Sequence, residues 1–433
     1  MKLWQKTDTT TSEIIERFTV GRDKEFDLML APYDVQGSIA HVSMLGEQGL
    51  MLKQEADAAV QALKEVQQLI EAGHFEIEPG VEDVHSQVEL LLTRKLGDTG
   101  KKIHSGRSRN DQVAVDIKLY LRDQVKEVVQ NSKALFQLLL VQSKKYASVL
   151  LPGYTHLQVA MPSSAGLWLS AYAESLVDDL EMLAAAYAVV NKNPLGSGAG
   201  YGSSFPLNRK RTTELLEFAD VHYNSVYAQM SRGKTEKLVA LSLSSLAATL
   251  GRMAMDCTLY LSQNFGFIYF PDELTTGSSI MPHKKNPDVF ELVRAHCSRI
   301  QAAPNELTLL LQNLPSGYHR DLQLTKEILF PVIQSLKDCL QMMHLMLSQI
   351  SFREHILADE KYRYLFSVEA VNELVNKGTP FRDAYQQVGN DIAEGRFRWD
   401  ATKPLNHTHE GSIGNLCLPQ IEAAFNGVLK KFV

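Results

Sequence analysis

Few cysteines and no excess of basic residues limit what this 433-residue chain can be. Its four cysteines lie far apart and form no CxxC pair, so they predict neither a zinc site nor a disulfide framework. Forty-four Lys and Arg residues stand against 50 Asp and Glu residues, which gives a net charge of −6. A nucleic-acid-binding protein would carry a basic excess or a basic stripe, so that class is not expected.

Long hydrophobic runs are also missing from the sequence. No run approaches eighteen consecutive apolar residues, so we predict no membrane span. Residues 1–13 contain no apolar core of the kind that a secretory signal needs. With 45% hydrophobic and 22% charged residues, the composition is typical of a globular protein. We therefore expect a cytoplasmic protein of two or three domains, since one hydrophobic core rarely organises so long a chain.

Glycine and proline are absent from residues 107–151 and nearly absent from three other long stretches, 167–193, 234–265 and 332–377. Apolar residues recur in them at three- and four-residue spacing, which predicts amphipathic helices. The segment 74–79 is the one short candidate for a strand, because polar and apolar residues alternate along it and a glycine flanks it on each side. Several helices are too apolar for a solvated surface. We predict an all-α fold with a long central bundle that oligomerisation completes; core helices of a monomer are the alternative.

The loop GSSIMPHKKNPD at residues 277–288 is the first of four segments that could carry chemistry. Asn286, Pro287 and Asp288 predict a helix start, with Asn as N-cap and Pro at the first helical position. Backbone N–H groups and lysines at the positive end of a helix predict a site for a carboxylate or a phosphate. A polar surface loop before a capped helix is the alternative.

Two further segments are HSGRSRNDQ at residues 104–112 and PGYTHLQ at residues 152–158. The arginines of the first, beside the start of the longest predicted helix, suit recognition of a carboxylate, since a guanidinium binds it in bidentate fashion. His156 in the second is expected at a corner between helices, and histidine is the side chain whose unperturbed pKa suits proton transfer at neutral pH. A solvated helix cap and a structural histidine are the respective alternatives.

The fourth segment is YHRDLQLTK at residues 318–326. Gln323 and Lys326 are three residues apart on a predicted helix, so they share a face and form a possible clamp for a polar substrate group. A charged face turned to solvent is the alternative. The sequence has no Walker, dinucleotide-binding, zincin or nucleophile-elbow motif, and readings as a nucleotide-binding protein or a hydrolase therefore lack support.

Together these segments resemble the argininosuccinate lyase/δ-crystallin family of the fumarase/aspartase superfamily. The superfamily signature GSSxMPxKxN stands here at residues 277–286. Other family-like segments, in the family's order, are DVQGS at 34–38, EDVH at 82–85, NPLGSG at 193–198 and KGTPFR at 377–382. The resemblance covers most of the chain, and the segments 104–112 and 318–326 narrow it to this family.

The resemblance implies an all-α homotetramer of the fumarase/aspartase type, in which each active site draws on three subunits. It implies three domains in each chain: an N-terminal helical domain (1–106), a central long-helix bundle (107–357) and a small C-terminal helical domain (358–433). The reaction implied is the cleavage of argininosuccinate to arginine and fumarate in arginine biosynthesis. No metal, organic cofactor, nucleic acid or membrane is expected to take part.

The resemblance also assigns roles to individual residues. Ser278 and His156 would be the acid/base pair, and we favour Ser278 as the base and His156 on the acid side. Lys284 and converging backbone N–H groups would stabilise the oxyanion of Ser278, and Glu291 would orient the imidazole ring. Further substrate-binding residues are expected at Arg107, Ser108, Asn110, Thr155, Asn286, Tyr318, Gln323 and Lys326.

The sequence departs from the family pattern at three places, one of which is Met161, where the family usually has Gln. The family's N-terminal substrate serine has no clear match around Val20 and Gly21, and Arg232 lacks its usual flanking partners. We therefore expect altered contacts on the amino-acid side of the substrate. The alternatives to this family are a sister lyase, such as aspartase, fumarase or adenylosuccinate lyase, and a non-catalytic crystallin-like structural protein.

Overall fold

The computed structural model describes residues 13–401 and 403–432, and most of that part of the chain is helical. Its α-helices are α1 (Glu13–Val20), α2 (Asp23–Glu47), α3 (Lys53–Glu71), α4 (Val84–Leu96), α5 (Asp98–Lys101), α6 (Arg109–Lys145), α7 (Ala165–Val190), α8 (Arg209–Leu215), α9 (Ser225–Met230), α10 (Lys234–Leu261), α11 (Asp288–Leu310), α12 (Thr325–Ser348), α13 (Ser367–Asn376), α14 (Phe381–Ala393) and α15 (Leu418–Leu429). The prediction of an all-α fold is confirmed.

Strands occur only as short pairs in the described residues. They are β1 (Leu150–Thr155) with β2 (Gln158–Ser164), β3 (Lys192–Asn193) with β4 (Asp220–Val221), and β5 (Ile268–Tyr269) with β6 (Ser351–Phe352). The β1–β2 hairpin was not predicted, because Pro152 and Pro162 lie within its strands and proline usually argues against a strand. The two prolines face each other in a two-stranded ribbon, where each strand has a free edge.

The prediction of a strand at residues 74–79 is wrong. That segment is irregular, and the backbone N–H of Glu78 donates to the side-chain oxygen of Gln87 on α4 at 3.0 Å. The backbone of this segment therefore bonds to a side chain, and no strand among the described residues pairs with it.

Three of the four stretches that lack glycine and proline form the single long helices α6, α7 and α10. The fourth, residues 332–377, does not: α12 ends at Ser348 and α13 begins only at Ser367. Between them, Phe352 pairs with Ile268 in the β5–β6 ribbon. Pairing with a distant segment ends this helix. The sequence contains no glycine or proline there that would have predicted the end.

The chain divides into two compact units. The first comprises residues up to 128, 182–245 and 299–336, and the second comprises 129–181, 246–298 and the residues from 337 onward. The division falls inside the five long helices α6, α7, α10, α11 and α12. The three-domain boundaries expected from the sequence stay a prediction.

Helices α2, α3 and α4 build the main apolar core of the first unit. Val35, Leu45, Leu63 and Leu92 are at most 1% exposed and belong to one cluster. Within the cluster, a spacing of three and four residues, as in Ala59, Leu63 and Val66 of α3, puts the apolar side chains on the inner face of the helix. Each buried leucine or valine contributes roughly 1.5–3 kcal/mol through removal of its apolar surface from water.

The second unit is held in part by an aromatic stack. Phe136 of α6 and Phe425 of α15 lie with ring centroids 3.7 Å apart and planes at 9°, and each is 1% exposed. A satellite cluster of α13 and α14 forms around Val371, Ala384 and Val388.

Helix α10 is long and apolar enough to cross a membrane by length and composition alone. Half of its most apolar window is buried within the chain itself, however. A core helix of a globular protein has the same composition, so this observation is weak evidence for a membrane span.

Replacement of Phe136 by Ala should lower the free energy of unfolding by about 3–5 kcal/mol, because it removes a fully buried ring and leaves a cavity against Phe425. Thermal or urea unfolding at a fixed protein concentration measures the change. Gln137→Ala, at the next and exposed position of α6, is the matched control and should change stability by less than about 0.5 kcal/mol. Equal effects of the two substitutions would contradict a packing role for the stack.

Candidate active site

The predicted site residues divide between the two units. The first unit contains Arg107, Ser108, Asn110, Tyr318, Gln323 and Lys326, and the second contains Thr155, His156, Ser278, Lys284, Asn286 and Glu291.

His156 lies at the tip of the β1–β2 hairpin, which corrects the expectation of a corner between helices. Thr155 pairs with Gln158, so His156 and Leu157 form a two-residue turn, with φ of 56° and 57°. Positive φ at both central residues is the hairpin geometry that suits twisted strands. Leucine rarely adopts this conformation, at a cost of roughly 1–2 kcal/mol. The turn presents the imidazole on an exposed tip.

Ser278 lies in a loop that is closed at its base. The backbone N–H of Asn286 donates to the carbonyl of Thr276 at 2.8 Å, and the Asn286 amide donates to the carbonyl of Gly277 at 3.3 Å. The Ser278 hydroxyl oxygen accepts the backbone N–H of Met281 at 3.1 Å and that of Ile280 at 3.4 Å. Two N–H groups thus converge on this oxygen, an arrangement that stabilises an oxyanion.

The helix after this loop begins at Asp288, one residue later than predicted. Asn286 is not its N-cap, because its side-chain amide closes the loop instead. Glu291 stands in the first turn of α11, where the helix dipole favours a negative charge. Among the described residues, no hydrogen bond joins Glu291 to the His156 ring.

Solvent exposure is common to these second-unit residues. His156, Lys284 and Glu291 are exposed in the isolated chain. Large apolar side chains next to the predicted catalytic residues are exposed as well: Leu157 by 71%, Ile280 by 82% and Leu292 by 61%. Exposed apolar groups clustered with functional residues are typical of a surface that another molecule covers.

The first unit encloses a cavity of about 190 Å³. Four of the predicted substrate-binding residues line it: Asn110, Tyr318, Gln323 and Lys326. Gln323 and Lys326 were expected on one face of a single helix; both line this cavity, but Gln323 lies in a short 3-10 helix, Arg320–Leu324, and Lys326 in the first turn of α12. Arg107 and Ser108 are not among the lining residues.

Gln323 and Lys326 already have partners in the N-terminal helices. The Gln323 amide donates to the carbonyls of Thr19 at 3.1 Å and Val20 at 3.2 Å. The Lys326 ammonium lies 2.6 Å from a carboxylate oxygen of Asp23 and 2.6 Å from one of Asp27, and it is 3% exposed. Burial alone would lower the pKa of Lys326, but Asp27 and Asp23 raise it above its ordinary value.

Arg107 and Ser108 each form hydrogen bonds with other residues of the first unit. The Arg107 guanidinium is buried and donates to the hydroxyl of Ser38 at 3.0 Å. Ser108 precedes α6: its backbone N–H donates to Asp111 at 2.7 Å, and its hydroxyl accepts the N–H of Asn110 at 3.3 Å. A contact of either residue with substrate stays a prediction.

Within the described residues, Asp34, His85 and Asp116 could hold a metal ion, since their ligand atoms lie within 4.8 Å of one another. They already interact among themselves: His85 Nδ1 is 2.8 Å from Asp34 and 3.5 Å from Asp116. Burial, together with the charge of Asp34, raises the pKa of Asp116 well above its ordinary value. Protonation of Asp116 would remove the repulsion between the two carboxylates.

Sequence analysis missed Asp23 and Asp27, although both line the cavity. The only local signal was an acidic pair one helical turn apart at the start of α2, which also suits an ordinary helix N-terminus. Both aspartates contact Lys326, which lies almost 300 residues away in the sequence. No local sequence pattern could reveal these contacts.

The lyase family model matches residues 5–302. An argininosuccinate lyase of Bacteroides thetaiotaomicron is 57% identical over all of this chain and 96% of the relative. One from Thermotoga neapolitana is 40% identical over 89% of this chain and 97% of the relative.

Among solved structures, an EDDS lyase in complex with formate superposes with a TM-score of 0.76 at 21% identity, over 98% of this chain and 91% of the other. A class II fumarase from Schistosoma mansoni gives 0.72 at 16% identity, over 87% and 89% of the two chains. At this identity the two structures support the fold alone, which this chain shares with both of them. The full-length sequence relatives support more, and the chain therefore belongs to the argininosuccinate lyase family.

Proposed function

We propose that this enzyme cleaves argininosuccinate to L-arginine and fumarate, without a metal or organic cofactor, in the biosynthesis of arginine. The observation that carries the proposal is the Ser278 hydroxyl, which accepts two backbone N–H groups in the loop that bears the superfamily signature. The full-length similarity to argininosuccinate lyases supports the choice of substrate.

The reaction requires one base, one acid and stabilisation of negative charge. Ser278, as the alkoxide, takes a proton from the succinyl carbon beside a carboxylate. The electrons left on that carbon form the double bond of fumarate while the carbon–nitrogen bond breaks. His156 is on the side that supplies a proton to the departing guanidine nitrogen, and Glu291 would orient its ring. Lys284 and Asn286 would hold the carboxylates of the succinyl half.

We also propose that the active enzyme is a cytoplasmic homotetramer in which each site draws on three subunits. His156 and Ser278 lie on two exposed loops, beside the exposed Leu157 and Ile280. Water around these groups would weaken the electrostatic interactions that the reaction needs. Coverage by neighbouring copies would bury the apolar groups and exclude water from the catalytic ones.

Ser278→Ala should lower kcat by about a hundredfold or more, because it removes the base while the hydrogen bonds of Asn286 still close the loop. Release of fumarate from argininosuccinate, followed by ultraviolet absorbance, measures this effect. Ser298→Ala, at an exposed position of α11, is the matched control and should keep wild-type activity.

Near-normal activity of Ser278→Ala would contradict the role of this serine. A wild-type protein that releases fumarate from aspartate or adenylosuccinate, and not from argininosuccinate, would identify a sister lyase. No release from any of them would favour the structural-protein alternative.

Shared active sites predict that two inactive variants complement each other. His156→Asn and Ser278→Ala, unfolded and refolded together in equal amounts, should regain about a quarter of the wild-type activity, because random assembly gives about a quarter of the sites both intact residues. Each variant refolded alone is the control. A mixture as inactive as its components, with tetramers present by sedimentation, would mean that both residues of a site come from one chain.

A further inference from the structure

We infer that Asp23, supported by Asp27, binds the α-ammonium group at the amino-acid end of the substrate. This inference rests on the proposed function, since it concerns the half of argininosuccinate that becomes arginine. That half ends in a zwitterion, an ammonium and a carboxylate on one carbon.

The first argument is the balance of charge around Lys326. Its single ammonium lies 2.6 Å from both Asp23 and Asp27, so two carboxylates share one cation. With both carboxylates ionised, the three groups carry a net charge of −1. Charges in a largely desolvated site are costly unless they are paired, so this group favours a second cation.

The other cations of the cavity have carboxylate partners of their own. The Arg109 guanidinium forms an ion pair with Asp83, and Arg320 lies 3.9 Å from Glu82. The remaining guanidinium, that of Arg232, has its Nε 3.4 Å from Glu236. Each of these cations is thus paired with a carboxylate other than Asp23 and Asp27.

Exposure distinguishes the two carboxylates. The Asp27 side chain is 4% exposed, whereas that of Asp23 is 22% exposed. Both residues line the cavity, next to Asn110 and Tyr318. A ligand can therefore reach Asp23 directly, while Asp27 acts mainly by holding Lys326 and adding negative charge.

Arg232 offers a place for the carboxylate of the same zwitterion. Its side chain is 4% exposed and lines the cavity, and its Nη1 is buried without a hydrogen-bond partner among the described residues. Asp23 lines the same cavity. An unused guanidinium donor beside a surplus carboxylate is complementary to an α-amino acid and not to a simple cation or anion.

The titration of Asp23 gives the inference a pH signature. Burial and the neighbouring Asp27 raise the pKa of Asp23 to about 6, against the opposing effects of Lys326 and Arg232. Below that pH the free enzyme carries a neutral Asp23, which attracts an ammonium less. The remaining charged or titratable groups of the cavity are Glu82, Asp83, His85, Arg109, Tyr318 and Arg320.

Asp23→Asn should raise KM for argininosuccinate by about ten- to a hundredfold, the range for loss of a hydrogen bond to a charged group, with kcat within about threefold of wild type. Asp23→Glu, which restores the charge, should recover much of the loss. The wild-type KM should rise as the pH falls through about 6, and the Asn variant should lose this dependence. Glu25→Gln, an exposed carboxylate on the same helix, is the matched control.

Calorimetric binding of arginine analogues separates this inference from the proposed function. Wild-type protein should bind L-arginine at least about tenfold more tightly than Nα-acetylarginine, which lacks the ammonium, and Asp23→Asn should lose this preference. Circular dichroism and the thermal midpoint verify that each variant is folded.

The outcomes are distinct. Wild-type turnover of argininosuccinate together with an unchanged KM and unchanged arginine binding in Asp23→Asn overturns the inference alone. The predicted binding pattern without release of fumarate overturns the proposed function alone. Failure of both turnover and arginine binding in the wild-type protein overturns both.

Discussion

One buried ammonium between two carboxylates joins the start of α2 to the start of α12. The Lys326–Asp27 pair spans 299 residues of sequence. A buried charge without a partner would cost several kcal/mol, so this pairing constrains where both helices begin relative to each other within the first unit. The wall of the cavity, with Gln323 bonded to the end of α1, is built on that constraint.

In the second unit, backbone geometry positions the predicted catalytic residues, whereas in the first unit the charges of side chains position the wall of the cavity. A hairpin tip with two left-handed residues presents His156, and a loop closed by Asn286 turns two N–H groups toward Ser278. Both leave the reactive groups exposed or half-buried, and this is the reason for our proposal that the chemistry, unlike the cavity, depends on association.

Sequence patterns predicted the long helices and the positions that could carry chemistry. The stretches without glycine or proline gave α6, α7 and α10, because helix propensity and apolar spacing are local properties. The same reasoning failed at residues 332–377, where pairing of Phe352 with Ile268 ends the helix. It also missed the hairpin that bears His156, whose strands contain prolines that two-stranded ribbons tolerate.

The sequence by itself determined which chemical groups the chain carries, their order, and the helical character of most of it, because these depend on neighbours a few residues apart. Only the tertiary structure decided that Lys326 is the shared partner of Asp23 and Asp27, that Arg107 is directed to Ser38, and that a cavity forms around Asn110 and Tyr318. These relations join residues that are remote in the chain, and the free energy of burying their charges acts only once the helices have packed together.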